Sequence, residues 1–289
     1  MEYRDEIPVI TANNLFLVMV VVILALITPS IIQDILLYSY DGLSKSAAEK
    51  KIWMLDVDVE YSLYTWLSTV NLFFAAQLLL LVGYEKWKFN QNSYMHLLLL
   101  SLVFLFLSAD EALSFHEKIS GAIKSAFHAS GIFHFAWVIP ALAILILGLI
   151  IYFPFIWSLN PSIRYPMLLS ALMFLSGAVG MEMVGGSYAE RFGVETLAYR
   201  LMANLEEALE GLGVAVFIWS VLRLRQEIYR NQAGTVTSSL LTRQQDMISK
   251  SLFPEKPEMG SRNSAQLLNS GTSGSVNRSD KKAPCCIDE

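Results

Sequence analysis

A chain of 289 residues that is 54% hydrophobic and only 16% charged, with a mean hydropathy of +0.45, is not composed like a soluble domain, where about a quarter of residues carry charge. Its net charge of −5 is spread along the sequence, and the lack of any basic block argues against a nucleic-acid partner. Both cysteines, Cys285 and Cys286, are neighbours near the C-terminus, so they supply no disulfide framework.

The chain starts Met-Glu-Tyr-Arg-Asp-Glu, acidic where a secretory signal is basic, so the first apolar run is expected to be retained as a helix. A bilayer core of about 30 Å takes roughly 20 residues of apolar helix. Six stretches meet that need: residues 14–37, 62–84, 94–114, 133–157 with a kink expected at Pro140, 166–185, and 199–222. Tyr84, Trp87, Tyr94, Trp157, Tyr165 and Tyr199 flank them, as interfacial aromatic belts do. From residue 231 the sequence turns to Ser, Asn, Gly and Gln, a composition that cannot bury a core. The expected fold is therefore an all-α integral membrane protein, with a six-helix transmembrane domain over 1–230 and a disordered cytoplasmic tail over 231–289. An even number of spans puts both termini on one side. Arg223, Arg225 and Arg230, with Lys86 and Lys88, favour the cytoplasm for that side, against Lys45, Lys50, Lys51, Lys118, Lys124, Arg191 and Arg200 in the opposite loops.

Against this background the acidic residues stand out, because an Asp at the centre of a span costs about 2.5–3.5 kcal/mol on insertion scales. The third stretch ends in Asp110, Glu111, His116 and Glu117. The fifth holds Glu182, and the sixth holds Glu206, Glu207 and Glu210. At 1.5 Å per residue, Asp110 and Glu182 lie about 6 Å below one boundary, with Glu206 about 10 Å and Glu210 about 16 Å inside it. Three helices thus bring carboxylates to one half of the bilayer, in either orientation. Asp110 and Glu117 share a helix face, and so do Glu206 and Glu210. The likeness of Asp110-Glu111-Ala112-Leu113 to Glu206-Glu207-Ala208-Leu209 falls at non-equivalent positions and is treated as coincidence.

No lysine lies inside a span and only Arg191 and Arg200 are near, so the negative charge needs protons or metal. The expected ligand set is Asp110, Glu111, His116, Glu182, Glu206 and Glu210, with Glu111, His116 and Glu207 as the proton-moving catalytic groups. His134 is a further candidate ligand, while His96 falls at the far end. A carboxylate-rich set suits a divalent ion such as Mg, Ca, Mn or Fe better than structural Zn, without distinguishing among them. The paired Glu-x-x-His of di-iron bundles is absent, and the missing intramembrane lysine excludes a retinal Schiff base. Glu117, Glu190 and Glu195 read as solvated helix flanks. The glycines at 177, 180, 185, 186, 211 and 213 read as close helix packing.

Three functions compete. One is a metal-dependent membrane enzyme, hydrolase or oxidoreductase, acting on a lipid or small apolar substrate. Another is a cation- or proton-coupled transporter or channel, its path continued by Ser68, Thr69, Asn71 and Gln77. The third is a non-catalytic scaffold or sensor. The bilayer is the one partner implied; nothing in the sequence sets the oligomeric state.

Overall fold

A computed structural model describes residues 11–40 and 50–252. Contacts divide the chain into a unit ending at Val236 and a second unit from Thr237. Among the described residues there are helices and no strands. They are α1 (Ala12–Tyr40), α2 (Leu63–Lys88), α3 (Tyr94–Leu113), α4 (Phe115–Phe127), α5 (Val138–Ser158), α6 (Pro161–Leu175), α7 (Glu182–Phe192) and α8 (Leu197–Leu252). A π-helical turn, Ser176–Met181, joins α6 to α7.

Five helical stretches are long and apolar enough to cross a membrane: Ala12–Tyr38, Leu63–Lys88, Tyr94–Leu113, Val138–Ser158 and Pro161–Phe192. The sixth expected span, within α8, does not qualify on composition, because Glu206, Glu207, Glu210, Arg223 and Arg225 load it with charge. Its burial explains how it carries that load. Ala215, Ile218 and Val221 are fully enclosed, and they join Ile23 and Ile27 of α1 and Leu72, Leu79 and Val82 of α2 in one core. By contrast α5 buries only Val138 and Phe155, leaving Ile144, Ile146, Leu147 and Ile150 exposed. A helix that is apolar all round and yet uncovered by protein is suited to lipid.

Boundaries differ from expectation where local chemistry decides them. Pro140 does not kink a helix, since α5 begins at Val138 and a first-turn proline forfeits no intrahelical hydrogen bond. The fifth stretch starts earlier, at Pro161, where the Asn160 side chain accepts the Ser162 N–H and caps the helix. Past residue 231 the helix continues to Leu252; residues 253–289, with both cysteines, lie outside the described residues.

The two ends of the bundle are tied differently. At one end the Arg225 guanidinium donates to both carboxylate oxygens of Glu85 (2.7–3.0 Å) and Tyr229 adds its hydroxyl at 2.9 Å, locking α2 to α8. His96 is at this end, stacked on Phe155 and remote from the acidic groups, as expected. In the middle, Ser101 and Ser108 of α3 donate to the carbonyls of Ala76 and Thr69 of α2, both at 2.9 Å.

Candidate functional site

The third helix stops at Leu113 because Ser114 adopts the left-handed conformation, φ 50°. That break turns the chain back on itself. The His116 N–H donates to Asp110 Oδ1 at 2.9 Å, and His116 Nδ1 lies 2.9 Å from Asp110 Oδ2. Asp110 thereby grips both the backbone and the ring of His116, leaving Nε2 as the ring's other donor–acceptor atom. On one continuous helix, residues six apart would not meet in this way. The sequence reading placed both residues at the site without foreseeing their pairing.

From the other side Trp137 packs on the His116 ring, with centroids 5.0 Å apart, and donates its indole N–H to Glu182 Oε1 at 2.7 Å. Glu182 opens α7 directly after the π-turn; such turns insert one extra residue and are frequent at functional sites. Gly177 in this turn lets α8 come close: a Cβ there would stand 2.8 Å from the Glu206 carbonyl oxygen and 2.8 Å from Glu210 Cγ. Glu206 reaches the Glu182 carboxyl. Glu210 neighbours Glu111 and Glu182, Glu207 neighbours Glu210 and Glu111, and Glu111 meets the Ser68 hydroxyl. Tyr64 of α2 donates to the Glu207 carbonyl. Asp110, Glu111, Glu182, Glu206, Glu207 and Glu210 are therefore at one end of the bundle, half-buried rather than sealed in the core. As they stand, no three His, Cys, Asp or Glu side chains among the described residues are gathered closely enough to hold a metal ion.

His134 is elsewhere, within reach of the Lys124 ammonium at 3.3 Å. Of the flanking acids, Glu190 accepts the Gly131 N–H and Glu195 accepts the Tyr38 hydroxyl at 2.9 Å; both are exposed. Glu117 meets Glu60 just outside the third span. The Ser114 hydroxyl helps hold the Glu60 carboxyl below the ordinary range, and burial with the Glu60 neighbour pushes Glu117 up. Of the side chains expected to continue a path, Gln77 is exposed, Thr69 and Asn71 are half-buried, and Ser68 is buried beside Glu111.

Burial opposes a charge on His116. The hydrogen bond and charge of Asp110, with Glu182 and Glu117 nearby, outweigh it and raise the pKa above the ordinary histidine value. The stability this contributes is complete below the unfolded histidine pKa and is lost as pH rises through the raised folded value. Asp110→Asn should lower the His116 pKa by roughly one pH unit, read from its ring resonances in a pH titration by NMR. An unchanged midpoint would show that Asp110 does not hold the ring.

Beside the acidic cluster is a buried ion network that the sequence reading missed. Lys51 places its ammonium 2.7 Å from Asp34 and 2.6 Å from Asp56, and Asn204 donates to Asp34 at 2.7 Å. Arg200 pairs with Asp58, approaches Asp56 at 4.0 Å and reaches Glu195 at 3.5 Å. Burial pushes the Asp58 carboxyl up to about 6 against the pull of Arg200. Arg200 is thus committed here and does not neutralise the Glu206–Glu210 face. The signal was Asp34 itself, the one acid within the otherwise apolar run 14–37.

An all-helical chain with five helices fit to cross a membrane, and an acidic end built from α3, α7 and α8, defines the class. The chain belongs to the family described as "Domain of unknown function (DUF8692)", whose model matches residues 14–225; that stretch takes in all of the acidic end. Neither the curated proteins nor the solved structures include a match.

Proposed function

We propose that this chain is a multi-pass membrane enzyme with an acid–base centre near one membrane face, acting on a lipid or other apolar substrate. The observation that carries this reading is the Asp110–His116 pair set against the carboxylates of Glu111, Glu182, Glu206, Glu207 and Glu210. A carboxylate-held imidazole is the usual form of a general base, and Glu111 and Glu207 are the neighbouring groups that would relay its proton. In this reading α8 is the sixth span and both termini are cytoplasmic. A divalent metal ion would be drawn in by the charge of the carboxylates rather than by a closed ligand shell.

Transport has less support. Below the acidic end the helices close on Leu72, Leu79, Val82, Leu97, Ile218 and Val221, all buried and apolar, and a carrier needs polar groups along its path.

The test is elemental analysis of protein purified without chelators, beside lipid turnover in nanodiscs made from a membrane lipid extract and followed by mass spectrometry. Stoichiometric metal, lost in both Glu206→Ala and Glu111→Ala, is the expected result for the metal centre; a metal-free wild type refutes metal dependence. Turnover should fall at least about 100-fold in His116→Ala, and turnover untouched by that change would remove the imidazole from the chemistry.

A further inference from the structure

We infer that α4 is an in-plane membrane helix, seated in the lipid interface with its apolar flank in the leaflet. Its position follows from α3. That helix has 20 residues, which at 1.5 Å each spans about 30 Å, the thickness of the hydrocarbon core. The chain therefore leaves the core at Leu113 and turns at Ser114. With 13 residues, α4 is too short to cross back, and it begins at the membrane boundary.

Its sequence divides into three faces. Phe115, Ile119, Ala122 and Ala126, spaced by four, three and four, form one apolar stripe. His116, Ser120 and Ile123 form the inner face, where His116 is held by Asp110 and Ser120 accepts the Ala136 N–H at 2.9 Å. The remaining flank is polar, with Glu117, Lys118, Gly121, Lys124 and Ser125. All four residues of the apolar stripe are exposed, Phe115 at 37% with the Lys118 ammonium over its ring and Ile119 at 51%, and no residue of the helix is buried. A short helix with opposed apolar and polar flanks at this depth is a monotopic segment. Lipid is the occupant because the stripe begins at Phe115, two residues after the exposed Leu113 that ends a helix long and apolar enough to cross a membrane. One consequence concerns the acidic end: His116 stands on the inner face of a helix bedded in lipid, so an amphiphile can approach it from within the leaflet. The placement of α4 does not depend on the proposed enzymatic role.

The test uses the near absence of cysteine. In a Cys285→Ser/Cys286→Ser background, nitroxide labels are placed by Ile119→Cys and, separately, Ser125→Cys, and the protein is reconstituted in phosphatidylcholine vesicles. Collision with oxygen, which concentrates in lipid, is compared with collision with a water-soluble nickel chelate. The ratio of oxygen to nickel collisions should be several-fold higher at residue 119 than at residue 125. Equal, nickel-accessible behaviour at both would place α4 in water, and a label at 119 shielded from both reagents would mean that protein covers the stripe. Either result overturns the inference. Both sites are on the exposed surface, so the substitutions leave the fold intact, which circular dichroism verifies.

Discussion

Lys51→Met is expected to destabilise the folded chain by about 3–5 kcal/mol, the range for removing one partner of a buried ion pair. Lys51 bridges Asp34 and Asp56, which are 0% and 1% exposed. Without the ammonium, two carboxylates remain among apolar helices, each facing a desolvation cost of several kcal/mol or forced to take up a proton. The network ties α1 to the segment after residue 50 and, through Asn204, to α8, so its loss loosens the end of the bundle that holds the acidic groups. Thermal unfolding in detergent measures the effect. Adding Asp34→Asn should recover part of the loss, because it removes one stranded charge while keeping the shape and a hydrogen bond to Asn204. A single variant as stable as the wild type would show that the network is not closed as described.

The second large effect has the opposite sign. Glu210→Gln should stabilise the protein by about 0.5–2 kcal/mol. Glu210 shares its surroundings with Glu111 and Glu182, and like charges crowded in one site raise the energy of the fold unless protons or cations are supplied. Glutamine keeps the volume beside Gly177, where Glu210 Cγ is in close approach, and removes the charge. Residues selected for chemistry commonly cost stability in this way, whereas residues selected for structure do not. A lower unfolding midpoint in Glu210→Gln would therefore mark the carboxylate as a structural hydrogen-bonding group and weaken the enzymatic reading. Measuring at two ionic strengths adds a control, since exposed charges are screened by salt and enclosed ones much less.

How far the sequence alone reached follows from which properties are local. Membrane-type helices are legible because the length of an apolar run and the cost of an intramembrane charge are one-dimensional quantities, readable residue by residue. The same cost made the carboxylates conspicuous, and their places along the helices made the gathering of Asp110, Glu111, Glu182, Glu206 and Glu210 at one end foreseeable. The sixth helix was recognisable as a helix, but its enclosure, with Ala215, Ile218 and Val221 sealed, was not. Hydropathy does not separate a helix facing lipid from one facing protein, since both are apolar.

Only the tertiary structure decided what pairs with what. The Asp110–His116 bond depends on one backbone angle at Ser114, and a serine gives no sequence signal for the left-handed region as a glycine would. Arg200 is near the glutamates of its own helix in sequence, yet it is held by Asp58, 142 residues away. Lys51 looked like a loop residue until the fold placed it between Asp34 and Asp56. What the sequence by itself determined was which stretches are long and apolar enough to cross a membrane and which acids interrupt them, because transfer energy acts on each residue alone. Which charges are neutralised within the protein, and which remain for chemistry, was set by contacts between distant segments, whose energies exist only once the chain has folded.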